Sequence, residues 1–199
     1  MVKILVTNDD GVDAPGILAL ATAMQQLGDV QVAAPARNQS ASGHKKTLFQ
    51  SIQYQPYQMA NDIDALAIDG SPADCIALSA MGLRDFPVNI VVSGINRGEN
   101  MSQDVTYSGT VTAALEAAIH GVPGVAVSLS NHNADDPEDY AEAARIAVKV
   151  VENVLQHGLP ELTILNLNVP TGRVKGLRLT RQGVRIYRDE LVVLANDRV

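Results

Sequence analysis

Apolar residues in this chain fall into two kinds of run, and the two kinds alternate. Short, mostly apolar stretches at 2–6, 30–34, 88–92, 124–129 and 162–167 predict strands buried on both faces. Between them lie stretches with helical character. Residues 17–24 are apolar and alanine-rich and run toward Gly28, and Ser108-Gly109-Thr110 opens an alanine-rich helix to about His120. Residues 138–157 carry an amphipathic helical pattern. Asp69-Gly70-Ser71-Pro72 reads as a helix start, with Ser71 as N-cap and Pro72 at the first helical position. Residues 36–46 are polar and turn-like, whereas 47–58 alternate and carry Phe49, Tyr54 and Tyr57, which predicts an extended, half-exposed segment. Strands alternating with helices predict an α/β fold with a doubly wound, mostly parallel sheet. In such sheets ligands sit beyond the carboxyl ends of the strands, so the segments after Val6, Ala34 and Val92 are where chemistry is expected.

The length of 199 residues suits one domain spanning 1–199, large enough to bury a core without disulfides. Cys75 is the single cysteine, which excludes an intrachain bridge and is compatible with a reducing compartment. No stretch approaches the roughly 18 apolar residues of a membrane span. Acids at Asp9 and Asp10 interrupt the N-terminal region too early for a signal peptide, so a cytoplasmic protein is expected. The net charge of −7 argues against binding in a nucleic-acid groove, and the 4% aromatic content, with no tryptophan, argues against a base-stacking platform.

Asn8-Asp9-Asp10-Gly11 directly follows the first strand. Adjacent carboxylates repel, and holding both at one strand end calls for a cation or for donors. Gly11 lets the chain turn there, and hard oxygen ligands of this kind suit Mg²⁺, Mn²⁺ or Ca²⁺. The same pattern also fits a solvated turn that caps the next helix. The loop after the second strand offers hydroxyl and amide oxygens, including Ser40, with Arg37 and His44 as candidate phosphate donors. Ser93-Gly94-Ile95-Asn96-Arg97-Gly98-Glu99-Asn100 leaves the 88–92 strand and presents the Asn96 carbonyl. Small residues at Ser108, Gly109 and Thr110 place free N–H groups at a helix start, where an anion is favoured, though Ser108 would also serve as a plain N-cap. Neither a Walker loop nor a dinucleotide fingerprint is present. Cys75 reads as a small core residue and His120, His132 and His157 as structural or surface groups, while Glu116 reaches either the site or a buried donor.

Taken together, Asn8-Asp9-Asp10-Gly11 with Ala14-Pro15-Gly16, Ala34-Pro35 with Arg37-Asn38-Gln39-Ser40, Ser93-Gly94-Ile95-Asn96 with Asn100, and Tyr107-Ser108-Gly109-Thr110-Val111 closely resemble the SurE family of 5′/3′-nucleotidases. Gly70-Ser71-Pro72-Ala73-Asp74-Cys75 and Ile164-Leu165-Asn166-Leu167-Asn168-Val169-Pro170 extend the match, which runs to about Asp189. The resemblance implies a Rossmann-like domain and a metal-dependent phosphomonoesterase acting on nucleoside 5′- and 3′-monophosphates. It implies one divalent cation per subunit, Mg²⁺ or Mn²⁺, on Asp9, Asp10, Ser40 and Asn96. Asp9 and Asp10 then carry the catalysis, and Asn96, Ser108, Gly109 and Thr110 bind the phosphate. Either a water activated by the cation or one of the carboxylates would attack phosphorus. Family members continue past Arg181-Gln182-Gly183 into a further C-terminal part used in subunit exchange, whereas this sequence ends at Val199. A homodimer or homotetramer is implied, and the apolar Leu191-Val192-Val193-Leu194 looks like an edge seeking a partner. Two other functions fit the same residues: a phosphatase acting on short polyphosphate, and a catalytically silent nucleotide-binding protein.

Overall fold

The computed structural model describes residues 1–188. Seven strands form one sheet: β1 (Lys3–Thr7), β2 (Asp29–Pro35), β3 (Tyr54–Gln58), β4 (Asp64–Ile68), β5 (Ile90–Arg97), β6 (Gly124–Ser130) and β7 (Ile164–Pro170), in the spatial order β3-β4-β2-β1-β5-β6-β7. Every pairing is parallel except β3 with β4. From β1 the chain winds outward through β2 to β4 and β3, then crosses back to β5 on the other side of β1. The order therefore reverses between β1 and β5, and at such a reversal two neighbouring strand ends part to leave a crevice.

Alternation along β1 explains why the sheet is covered twice. Ile4 and Val6 face one layer, built with Ile17, Leu20 and Met24 of α1 (Pro15–Met24) and with Ala147 and Val151 of α4 (Ala141–His157). Leu5 faces the other, built with Cys75 and Ile76 of α2 (Pro72–Leu78) and with Ala113 and Ala117 of α3 (Gly109–Ile119). The small side chains of α3 let it lie close on the sheet. Ser71 caps α2 in a full capping box: its hydroxyl accepts from the Asp74 N–H, and the Asp74 carboxylate accepts from the Ser71 N–H. The expected N-cap and first-turn proline are both in place.

The structure differs from the sequence expectation in several places. The strand expected at 88–92 runs instead from Ile90 to Arg97, because a register shift against β6 between Ser93 and Asn96 lets pairing resume beyond Ser93-Gly94. Strand β4 was not foreseen, since Ala65 and Ala67 leave the run without the β-branched signature; β2 and β3 recruit it by pairing on both sides. Only Tyr54–Gln58 of the expected 47–58 segment is a strand, an edge where Pro56 is tolerated. The helix expected at 138–157 begins with a 3-10 turn, Pro137–Tyr140, before α4, and the strand expected at 162–167 starts later, at Ile164. The apolar stretch 191–194 lies outside the described residues.

Candidate functional site

At the end of β1 the chain turns at Gly11, whose φ of +113° is open to glycine at little cost. Asn8 closes the turn on itself: its side-chain NH₂ donates to the Gly11 carbonyl at 2.8 Å, and its Oδ1 accepts the Gly11 N–H at 3.3 Å. The turn directs two carboxylates into the crevice between β1 and β5. Asp9 is buried (4% exposed) and Asp10 half-buried. The Thr110 hydroxyl, at the start of α3, donates to Asp9 Oδ1 at 2.5 Å. On the β5 side, the Arg97 N–H donates to Asp10 Oδ2 at 3.2 Å.

Burial dominates the electrostatics. It lifts the Asp9 carboxyl from 3.8 to about 6, with the Asp10 charge adding to the rise and the Thr110 donors opposing it. Burial also raises Asp10, opposed by the Arg97 N–H and the Arg97 charge. A pair of acids held above their ordinary range is short of positive charge, and a divalent cation would supply it.

The polar segment 36–46 closes over this point. The Gln39 N–H donates to the Asp9 carbonyl at 2.7 Å, which places the neighbouring Ser40 beside β1's end with its side chain exposed to solvent. Asn96, near the end of β5, spends its side-chain NH₂ on the Gly98 carbonyl at 2.8 Å, and this leaves the amide oxygen to face other partners. Asp9 and Asp10, Ser40, and Asn96 thus lie in segments at or beyond the ends of the neighbouring strands β1, β2 and β5. Among the described residues no three His, Cys, Asp or Glu side chains cluster as a cation site. The set here has two acids and relies on neutral oxygens for the rest, and its all-oxygen chemistry fits Mg²⁺ or Mn²⁺.

The α3 start is built differently from expectation in one respect. Ser108 caps the helix, its hydroxyl accepting the Val111 N–H at 3.1 Å, and Thr110 is spent on Asp9. The Thr110 hydrogen is committed to Asp9, whereas the Ser108 hydroxyl accepts at its oxygen and keeps its hydrogen to donate. Gly109 is required here by close approach: a Cβ would lie 2.8 Å from both Asp9 Cβ and Ser42 Oγ and 3.0 Å from Pro72 Cγ. Ser42 is the residue that sequence reading passed over. Its hydroxyl is buried beside Gly109 and finds no hydrogen-bond partner among the described residues, as is also true of Ser93, which pairs in register with the last residue of β1. The packing of 42 against 109 is a contact between distant segments that no local motif announces.

Two further expectations change. Arg37 pairs with Asp69 at 2.8 Å, and His44 Nε2 donates to Glu116 at 2.8 Å, so neither is a free phosphate donor. The asparagines of the 164–170 motif are braces: Asn168 Oδ1 accepts the Asn100 N–H at 2.8 Å, Asn166 donates to the Asn100 carbonyl at 2.9 Å, and Asn100 itself reaches Ser128 at 2.8 Å. They hold the turn after β5 against β6 and β7. Cys75 is fully buried in the core, as expected.

Fold and site together define a Rossmann-like α/β protein whose acidic switch point abuts a helix N-terminus. The family model described as Survival protein SurE matches residues 4–189, and the chain belongs to that family. It is 49% identical to "5′-nucleotidase SurE" of Syntrophotalea carbinolica over 189 residues, covering 95% of this chain and 74% of that protein. It is 46% identical to the protein of the same name from Herpetosiphon aurantiacus, covering 96% and 75%. Among solved structures it superposes on the SurE protein from Aquifex aeolicus with a TM-score of 0.83 at 40% identity, covering 94% of this chain and 75% of that one.

Proposed function

We propose that this protein is a metal-dependent 5′-nucleotidase: it hydrolyses nucleoside 5′-monophosphates, and 3′-monophosphates, to nucleoside and phosphate. The observation that carries the reading is the Asp9–Asp10 pair at the strand-order reversal, buried and short of positive charge. The names of the relatives support the same activity. Asp9, Asp10, Ser40 and Asn96 hold one divalent cation, Mg²⁺ or Mn²⁺. Bound there, the cation would draw charge from the phosphoryl oxygens as the ester bond breaks.

The chain's own groups do the rest. One of the two carboxylates, Asp9 or Asp10, takes the proton from the attacking water. Thr110 keeps the Asp9 carboxylate oriented. The first N–H groups of α3, at Gly109 and Thr110, together with Ser108, the Asn96 side chain and the buried Ser42 hydroxyl, form the phosphate-binding wall. One helix start serves one terminal phosphoryl group, so monophosphates are preferred.

The test is phosphate release from AMP and from ATP, with Mg²⁺ or Mn²⁺ added or with a chelator in excess. Release from AMP that requires the cation and exceeds release from ATP is expected. Release that is indifferent to the chelator, or faster from ATP, would overturn the reading.

A further inference from the structure

Glu116 stands outside the acidic pair, yet it is one of the most completely buried carboxylates in the molecule, at 2% exposed. Such a group needs partners, and its partners come from the loop over the site. His44 Nε2 donates to its Oε2 at 2.8 Å, and the Lys46 ammonium donates to its Oε1 at 2.7 Å. His120, one turn further along α3, reaches Oε1 at 3.2 Å. Burial works to raise the Glu116 carboxyl, but the Lys46 and His44 donors outweigh it and hold the group below its ordinary value.

The spacing on α3 shows how the loop is laid down. Ser108, Thr112 and Glu116 follow one another at intervals of four, which puts them in line on one face of the helix. The loop runs along this line: Ser42 packs on Gly109, the Thr112 hydroxyl lies 2.9 Å from the Gly43 carbonyl and shares its hydrogen with the Ser108 carbonyl at 2.8 Å, and the Gly43 N–H donates to the Tyr107 carbonyl at 2.8 Å. His44 and Lys46 then close on Glu116. The contacts at Gln39 and Gly43 are to neutral groups, and the segment's other ion pair, Arg37 with Asp69, is exposed to solvent, whereas the attachment at Glu116 is to a buried carboxylate.

We propose that Glu116 is a positioning residue for the cation site. Through His44 and Lys46 it holds the 36–46 segment down along α3, so that Ser40 stays at the end of β1 and Ser42 stays against Gly109. This rests on the proposed cation at Asp9, Asp10, Ser40 and Asn96. The carboxylate touches neither cation nor substrate and acts only through the loop. Were it no more than an internal ion cluster, its loss would lower stability evenly and leave cation affinity alone.

The experiment compares wild type with Glu116→Gln and with the double variant His44→Gln/Lys46→Met, which breaks the same attachment from the solvent-facing side should Glu116→Gln fail to fold. Two readouts need no catalysis. Trypsin cleavage after Lys45, the site present in wild type and both variants, is expected to speed by at least about tenfold in the native protein, with other sites unchanged. The dissociation constant for Mn²⁺, measured by calorimetry without nucleotide, is expected to rise about tenfold. In turnover of AMP, kcat should fall at limiting Mn²⁺ and recover largely at saturating Mn²⁺. Unchanged cleavage at Lys45 overturns the proposal, and so does unchanged Mn²⁺ affinity in a variant whose loop is cut faster. If wild type itself binds no Mn²⁺, the cation reading falls instead, and the trypsin arm alone decides whether Glu116 holds the loop.

Discussion

At the scale of the single residue, Asp9 is a carboxylate that the folded chain keeps at a disadvantage. Its carboxyl sits near 6 when folded and near 3.8 in the open chain, so between those values the folded state binds more protons than the unfolded one. Stability of the cation-free protein therefore decreases as pH rises from about 4 through about 6, and levels off above. The two-unit displacement corresponds to roughly 3 kcal/mol at most. Asn at this position keeps the shape and the acceptor for Thr110 but carries no charge. In chelator, thermal unfolding should show Asp9→Asn more stable than wild type at pH 7–8, with the two converging toward pH 4. Adding Mn²⁺ should reverse the order at pH 7, because the cation favours only the charged residue. Parallel pH curves for the two proteins in chelator would show that Asp9 is not the disadvantaged group.

At the scale of the element, each part of the site is a strand end or a helix start, and these were legible where the signal is local. The buried strand before Asn8-Asp9-Asp10, the Ser71-Pro72 helix start and the Ser108 cap all depend on residues within a few positions of one another. The register shift in β5 was not legible, because the continuation past Gly94 depends on pairing with β6, some 30 residues away. Strand β4 was missed for the same reason, its alanines saying little until β2 and β3 flank it. The role of His44 could not be read either. Its partner is 72 positions distant, and a polar loop shows in sequence what it could donate but not to whom. Oxygen ligands announce themselves by type, whereas the side chains that aim them are identified only by contact.

At the scale of the whole molecule, the sheet order decides where function sits. The reversal between β1 and β5 brings the ends of β1, β2 and β5 together, and α3 points its N-terminus at the same place. Among the described residues no helix is long and apolar enough to cross a membrane. The stretch after β7 has another character: Leu177, Leu179, Val184 and Ile186 are all exposed. Apolar side chains in such number at the surface favour a covered face, and a homodimer or homotetramer would cover them. Light scattering at micromolar concentration should report a dimer or larger, and a monomer alone would contradict this.

The most direct test of the central claim, that Asp9 and Asp10 together hold the cation on which turnover depends, is calorimetric titration of Mn²⁺ into wild type, Asp9→Asn and Asp10→Asn, with AMP hydrolysis measured on the same samples. Both variants should fold, and affinity and turnover should fall together, turnover by at least about a hundredfold, the scale of losing an electrostatic stabiliser. Asn96→Ala should lose less, since water can replace a neutral oxygen. Near-wild-type Mn²⁺ affinity with chelator-sensitive turnover in both Asp→Asn variants would contradict the claim and place the cation elsewhere.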